Sequence, residues 1–317
     1  MVARHDVEMA YRLIMGREAE SEASVEGHMK SSATIEHLRR EFFNSNEFRN
    51  SVIPGIASGV KPLVWPPIQV DTQVSPSQLH EMIARVERNF RHMGETEPHW
   101  SVISDEKFKS ANIQQNRDEL FASGEGVVND FLVAVARCGS SVNSGGACLE
   151  LGCGIGRSTI WLSRHFEHVT GTDVSAPHLE LARQATQEFA RLNVSLVQVD
   201  KIGMLEKLPK FDAFFSIIVL QHNPPPLIRH LLETIFEKLN RGGLAYFQVP
   251  TYGLNYEFNI EGYLAADVQL GVPEMHVLPQ KDIYALANKS GCRLLEVRED
   301  GASGARFISN RFLIQKE

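Results

Sequence analysis

From Ala147 onward, apolar residues come in short blocks separated by amphipathic stretches. The blocks at 147–151, 168–173, 194–199, 211–219 and 243–249 have the length and composition of buried strands. Between them, 157–166, 177–191 and 226–239 repeat their apolar positions at helical spacing, and Ser175 followed by Pro177 marks a helix start. Strands alternating with helices predict an α/β fold, a mostly parallel sheet with helices on both faces. The tail departs from this rhythm. A helix over 281–290 ends at Gly291, and strand-like runs at 292–299 and 305–315 flank Gly301-Ala302-Ser303-Gly304. This predicts a C-terminal antiparallel hairpin appended to the sheet.

Upstream the periodicity is helical. Val7, Tyr11 and Ile14 share one helical face, and Ile35, Leu38 and Phe42 another, with Asp6 and Ser32 or Thr34 as candidate caps. Residues 1–52 are read as a small all-α domain. Pro54-Gly55, Pro62 and Pro66-Pro67 break helices and make 53–74 a Pro/Gly-rich linker, in which Trp65 points to docking on a surface. Ser75-Pro76-Ser77-Gln78 combines an N-cap, a first-turn proline and a capping-box glutamine ahead of the stripe Leu79, Met82, Ile83, Val86 and Phe90. After a polar loop with Pro98, His99 and Trp100, a further helix carries Val128, Phe131, Leu132 and Val135 on one face. Residues 75–146 are thus a helical extension capping a domain at 147–317.

Length and charge narrow the function classes. The 317 residues suffice for one large domain and one small one. A net charge of −7 without any Lys/Arg run predicts no nucleic-acid partner. Cys138, Cys148, Cys153 and Cys292 show neither CxxC pairing nor zinc spacing, and no compact ligand cluster calls for a metal. The start, Met1 to Asp6, lacks the apolar core of a signal peptide, and the longest apolar stretch, Phe211 to Leu220, is too short to span a bilayer. These features predict a cytoplasmic protein without a transmembrane segment.

The chemistry concentrates where the first strand runs into Gly152-Cys153-Gly154-Ile155-Gly156. Glycines let backbone approach a ligand, and a helix N-terminus offers free N–H groups to an anion. In parallel α/β sheets, ligands bind at such carboxyl ends of strands. The next strand ends at Asp173, about 20 residues on, the spacing of a carboxylate that grips a ribose diol. The third ends at Val199-Asp200, where a side chain would meet an adenine amino group. Without a ligand, the same residues make a tight turn and a capping aspartate. A dinucleotide fingerprint wants a third glycine where this chain has Arg157, and Glu150 ahead of the first glycine suits a cationic cofactor better than a pyrophosphate.

Glu150-Leu151-Gly152-Cys153-Gly154-Ile155-Gly156 resembles the first motif of the class I, Rossmann-like S-adenosylmethionine-dependent methyltransferases. Gly171-Thr172-Asp173-Val174-Ser175 resembles their second, Phe211-Asp212 through Gln221-His222 their fourth-strand segment, and Leu239 to Gly243 the turn before their fifth strand. The resemblance covers 147–317, terminal hairpin included. It implies S-adenosyl-L-methionine as cofactor, with Glu150, Gly152, Cys153, Gly154 and Gly156 at its methionine end. Asp173 would then bind the ribose, Asp200 with Ile202 would flank the adenine, Gln221 would lie near the sulfonium, and Val174 would join the cofactor contacts. An NAD-dependent oxidoreductase and an inactive cofactor-binding or interaction protein remain the alternatives.

Methyl transfer is chiefly a matter of alignment, and an alcohol acceptor also needs a base. His222, ahead of the rigid Asn223-Pro224-Pro225-Pro226, is the first candidate base, and His276 the second; either would otherwise serve as a hydrogen-bonding or capping residue. The segment 251–278 reads as a substrate lid carrying Tyr252, Tyr256 and Glu274 as candidate acceptor contacts, unless its aromatics pack only the lid. Trp100 is a further candidate contact or a docked structural residue. Ala10 to Glu18 and Phe43 to Phe48 resemble a small helical domain of unassigned function, found in bacterial proteins some of which are linked to surface-glycan synthesis. That resemblance implies a saccharide hydroxyl, on a surface polysaccharide or its precursor, as acceptor, and a glycan-assembly protein as partner. N- or O-methylation of a small metabolite is the alternative.

Overall fold

Phe214 and Phe215 are neighbours in sequence and lie on opposite faces of one sheet, as the two-residue period of a strand requires. Leu149, Phe247 and Phe312 join Phe214 on one face, while Cys148, Tyr246 and Leu313 join Phe215 on the other. Both faces are covered, which is why these strands read as continuous apolar blocks.

The computed structural model describes residues 2–48, 52 and 66–317. Its strands are β1 (Gln69–Val70), β2 (Ala147–Leu151), β3 (His168–Asp173), β4 (Val194–Gln198), β5 (Phe211–Ser216), β6 (Leu239–Gly253), β7 (Glu257–Phe258), β8 (Cys292–Glu299) and β9 (Phe307–Lys316). Seven of them form the main sheet in the order β4-β3-β2-β5-β6-β9-β8, while β1 and β7 pair separately. β2 to β6 are mutually parallel, and β9 runs antiparallel between β6 and β8. This is the α/β sheet with a terminal antiparallel hairpin that the sequence predicts.

The chain divides into two units, an N-terminal one and one comprising 66–303 with 307–317. In the first, α1 (Arg4–Ala10), a π turn over Tyr11–Met15, α2 (Glu22–Ser31) and α3 (Ile35–Asn44) surround Val7, Tyr11, Val25, Leu38 and Phe42. Thr34 caps α3 as expected, with its Oγ1 accepting from the His37 N–H at 3.1 Å. Asp6 is not a cap residue proper: it sits inside α1 and accepts back from the Ala3 N–H at 2.8 Å. Ile35 shares the face of Leu38 and Phe42 yet is 55% exposed, because it occupies the first turn, beyond the core. Pro54, Gly55, Pro62 and Trp65 of the expected linker lie outside the described residues.

In the second unit, α4 (Pro76–Thr96) starts on the expected capping box: Ser75 Oγ accepts from the Gln78 N–H and Gln78 Oε1 from the Ser75 N–H. Met82, Ile83 and Val86 of its stripe are buried, with Ile83 and Val86 in the core on the sheet face that α8 (Pro225–Lys238) and α10 (Gln280–Lys289) also cover. α5 (Ile113–Arg137) and α6 (Thr159–Leu162) cover the other face. α7 (Ala176–Glu188) follows β3, and α9 (Ile260–Ala265) lies in the 251–278 segment.

Three boundaries depart from the sequence reading. The helix expected over 157–166 shortens to α6, because the chain beyond it closes on three-residue bonds, Arg164 N–H to Trp161 O and His165 N–H to Leu162 O. β5 stops at Ser216 rather than 219, since Ile218 turns into a left-handed conformation (φ 59°). β6 runs far beyond 243–249, drawn out by its antiparallel pairing with β9 as far as Gly253. Among the described residues no helix is long and apolar enough to cross a membrane.

Candidate cofactor and acceptor cleft

β3 and β4 lie to one side of β2, and β5 and β6 to the other. At such a reversal the connections leave in opposite directions and open a crevice at the strands' carboxyl ends. Here the crevice, counted together with the open solvent at its mouth, holds about 1040 Å³ of empty space. It is lined by Glu150 to Gly154 at the end of β2, Asp173 and Val174 at the end of β3, Val199 after β4, and Ile217 to Val219 with His222 after β5. Ile83, Val86 and Phe90 of α4 and the turn residues Ser101 and Val102 complete its wall.

The glycine loop is shaped by close approach. Gly152 (φ 71°) lies so near the post-β5 turn that a Cβ there would fall 2.4 Å from Val219 Cγ1. Gly156 (φ 84°) does not line the cleft; a Cβ on it would press to 3.3 Å from Ala182 Cα of α7. The first glycine brings the loop against the cleft floor, and the last lets it pass a helix.

Asp173 locks this loop. Its Oδ2 accepts from the Gly154 N–H and its Oδ1 from the Ser175 N–H, both at 2.9 Å. A carboxylate has about four acceptor positions, so two remain for a diol. Glu150 is 4% exposed and accepts from Thr159 Oγ1 at 2.6 Å. Burial pushes its pKa up to about 7, against the opposing Thr159 bond and Arg157 charge.

Ser101 and His178 bind the N-terminal extension to α7. Ser101 Oγ donates to Pro98 O, so His178 Nε2 donates to Ser101 at 2.8 Å, and His178 Nδ1 accepts from Ser175 Oγ at 2.7 Å. Burial holds this histidine's pKa below the ordinary value, which favours the neutral form the chain requires.

His222 has a single compatible tautomer. A carbonyl only accepts, so Nδ1 carries the proton and donates to Glu274 O at 2.7 Å. Nε2 faces the Gln221 amide nitrogen at 3.2 Å. That amide is oriented because Gln221 Oε1 accepts from Gln248 Nε2 and Ser303 Oγ, each at 3.0 Å. Burial pulls the His222 pKa down to about 4.

The expected lid residues meet one another rather than the cleft. Tyr256 OH lies 3.0 Å from His276 Nδ1, and His276 Nε2 lies 2.9 Å from Glu274 Oε2, which also accepts from Tyr263 OH. Arg85 of α4 donates to Leu264 O and Ala266 O and stacks on the Tyr263 ring. Tyr252 OH donates to Pro66 O. Tyr252, Tyr256, Glu274 and His276 are therefore absent from the lining, although Glu274 reaches it through the His222 bond. Trp100, Asp200, Ile202 and Gln221 are also absent, while their neighbours Ser101, Val199 and His222 are present. Arg85, Arg157, His178, Ile218 and Gln248 were not anticipated as site residues. Of these, only His178 carried a local signal, its three-residue spacing from the helix-start Ser175.

Residues 148–243 match a family described as a methyltransferase domain. An S-adenosyl-L-methionine-dependent Diels-Alderase of Talaromyces variabilis is 34% identical over 83 residues, 25% of this chain and 28% of that protein. A carboxy-S-adenosyl-L-methionine synthase of Dichelobacter nodosus is 28% identical over 109 residues, 33% of this chain and 45% of that protein. The chain thus spans less than half the length of either curated relative. Among solved structures, magnesium protoporphyrin IX methyltransferase from Synechocystis PCC 6803 with bound SAH superposes with a TM-score of 0.50 at 17% identity, covering 73% of this chain and 98% of that one. The same enzyme with bound SAM gives 0.50 at 16%, over 78% and 100%. The chain accordingly has the fold of the class I S-adenosylmethionine-dependent methyltransferases.

Proposed function

We propose that this protein is an S-adenosylmethionine-dependent methyltransferase acting on a small-molecule acceptor. One observation carries the reading: the ends of β2, β3 and β4 bring a glycine loop, a diol-ready carboxylate and an apolar slot to one cleft. When bound, S-adenosylmethionine supplies an electrophilic methyl group. In this reading Asp173 holds the ribose, Val174 and Val199 flank the adenine, and Glu150 faces the methionine ammonium. Ile83, Val86 and Phe90 on α4 give the cleft an apolar wall.

The acceptor reading follows from His222. A general base works best with a pKa near the operating pH. A histidine at about 4 whose lone pair faces an amide is an orienting group instead. An acceptor atom with no proton to lose, such as an amine lone pair, a carboxylate or a phenolate, suits these walls. Methylation of a saccharide hydroxyl is the second reading. The helical unit's resemblance favours it; to act as its base, His276 would have to give up the bonds to Tyr256 OH at 3.0 Å and Glu274 Oε2 at 2.9 Å that hold it outside the cleft lining.

Calorimetry with S-adenosylmethionine, S-adenosylhomocysteine and NAD tests the cofactor. The first two should bind, and Asp173→Ala should weaken S-adenosylhomocysteine by about 100-fold, the scale of hydrogen bonds to a charged group. Binding of NAD alone would end the methyltransferase reading. A labelled-methyl assay over amines, carboxylates, phenols and sugars tests the acceptor. Product from sugars alone establishes the second reading. Adenosyl binding without transfer to any of them would align the chain with the relatives named for other reactions. His222→Asn should keep turnover within about tenfold, whereas a loss of about 10²–10⁴-fold is what removal of a base produces.

A further inference from the structure

Ile218 is a β-branched residue held in the left-handed region, at φ 59°. Glycine or asparagine takes this torsion at little cost, and isoleucine does not. Gln248 enforces it, with Oε1 accepting from the Ile218 N–H at 3.0 Å. Yet the side chain is not spent on the core: it lines the cleft and is 38% exposed. Strain kept at a ligand wall calls for a use of the side chain that stands there.

The surroundings define that use. Among the described residues, the acids and the guanidinium at the cleft are Glu150, Asp173 and Arg157, which belong to the ends of β2 and β3 and the loop after β2. Each is already hydrogen-bonded within the protein. The other wall, from the turn after β5 and from α4, carries Ile217, Ile218 and Phe90, with the His222 ring 5.8 Å from that of Phe90. Burial keeps His222 neutral, and its N–H is committed to Glu274 O. A separate face of α4 is clamped by the 260–272 stretch. Arg85 donates to Leu264 O and Ala266 O, while Asn89 donates to Val272 O at 2.8 Å and accepts from the Gly271 N–H at 2.9 Å. Phe90 is thus set on a fixed wall that offers apolar surface and no charge.

Sugar hydroxyls against such a wall would leave water without finding partners. An ammonium would meet the cofactor's sulfonium with no anion on its own side. An apolar body gains by burial, and the same surroundings favour an amine in its neutral form. We propose that Ile218 and Phe90 form an acceptor subsite that selects an amine with an apolar aromatic or alkyl body, taken as the neutral amine. This rests on the cofactor reading above and narrows its acceptor. The nitrogen lone pair forms the new N–C bond as the methyl C–S bond breaks. Sulfur leaves as a neutral thioether, and the methylated nitrogen, now cationic, gives its proton to water on release.

The test reads binding before turnover. With S-adenosylhomocysteine bound, saturation-transfer NMR should rank aniline and benzylamine about 100-fold above glucosamine and ethanolamine in affinity. In a labelled-methyl assay kcat/KM should follow the same order. Equal or reversed ranking, or binding of none of the four, would overturn the proposal while leaving the cofactor reading intact. Transfer to phenol or benzoate in preference to the amines would overturn the choice of nitrogen. Failure of the wild-type protein to bind S-adenosylhomocysteine would overturn both readings. Ile218→Asn should raise the thermal midpoint by about 2 °C as the strain is relieved, and keep S-adenosylhomocysteine within about threefold. The same variant should weaken benzylamine by about tenfold, whereas Ile218→Val, still apolar, should stay within about threefold of wild type. Unchanged benzylamine binding in both Ile218→Asn and Phe90→Ala would make the two side chains incidental and sink the subsite. The wild-type ranking needs no variant, so one that fails to fold cannot shield the proposal.

Discussion

Glu150→Gln should make the ligand-free protein more stable at pH 8 and at the same time weaken its hold on S-adenosylmethionine. The buried carboxyl has a folded pKa of about 7 against an ordinary value of 4.5. The folded state therefore holds this proton more tightly than the unfolded chain does. Below pH 4.5 both states are protonated and the group costs nothing. Between 4.5 and 7 the unfolded chain releases its proton first, so folding stability falls as pH rises. Above 7 the full cost stands, roughly 3 kcal/mol at 1.36 kcal/mol per unit. Glutamine removes the titration and keeps an oxygen for the Thr159 hydroxyl, which donates at 2.6 Å. The thermal midpoint at pH 8 should rise by about 5 °C or more, and the gain should shrink towards zero at pH 5. Titration with S-adenosylhomocysteine at pH 8 should show the opposite sign, an affinity lower by about 10–100-fold, because the ammonium loses a charged partner. A variant no more stable than wild type at pH 8 would show that the carboxyl carries no such cost. Both signs together would identify Glu150 as a group kept for the ligand against the interest of the fold.

The parts of this molecule that sequence reveals are those set by periodicity or by a neighbour a few residues away. Buried parallel strands must be apolar on both faces, so β2 to β5 announce themselves. Asp173 is legible because its distance from the glycine loop is dictated by one strand-helix-strand passage. The capping box at Ser75 and Gln78 is legible for the same local reason. What sequence does not reveal is the direction of a side chain across elements. A long segment after β6 covers something, but its length does not say that Tyr256, Glu274 and His276 bond to one another instead of facing a substrate. Arg157 in a sequence only breaks a glycine pattern, and its place on the cleft wall shows only in the folded loop. The turn after α4 shows the finest grain of this limit: Ser101 and Val102 line the cleft and Trp100 does not. Only the backbone torsions of an irregular turn decide that.

Gln248→Leu should uncouple the two halves of the cleft. Gln248 is fully buried in β6 and reads from sequence as an ordinary strand residue. Its Oε1 accepts from the Ile218 N–H at 3.0 Å, and its Nε2 donates to Gln221 Oε1 at 3.0 Å and Ser309 Oγ at 2.6 Å. One amide therefore holds a β-branched residue at φ 59°, a conformation costing about 1–2 kcal/mol, and orients the amide that faces His222. Leucine fills the same space and supplies none of these bonds. The Ile218 N–H and the Ser309 hydroxyl would be left without this partner, at about 1–3 kcal/mol each, partly offset as Ile218 relaxes out of its strained torsion. A net loss of about 2–4 kcal/mol should appear in denaturant unfolding. The glycine loop, Asp173 and Glu150 hang from β2 and β3 and should keep their geometry. S-Adenosylhomocysteine should then bind within a few-fold of wild type, while methyl transfer falls by about 100-fold as the acceptor side loses alignment. Ile218→Gly in the same background should restore part of the stability, since glycine adopts this torsion freely, without restoring turnover, because the side chain on the cleft wall is gone. Parallel losses in cofactor affinity and turnover would mean that the post-β5 turn serves the cofactor as much as the acceptor, through the contact of Val219 with Gly152.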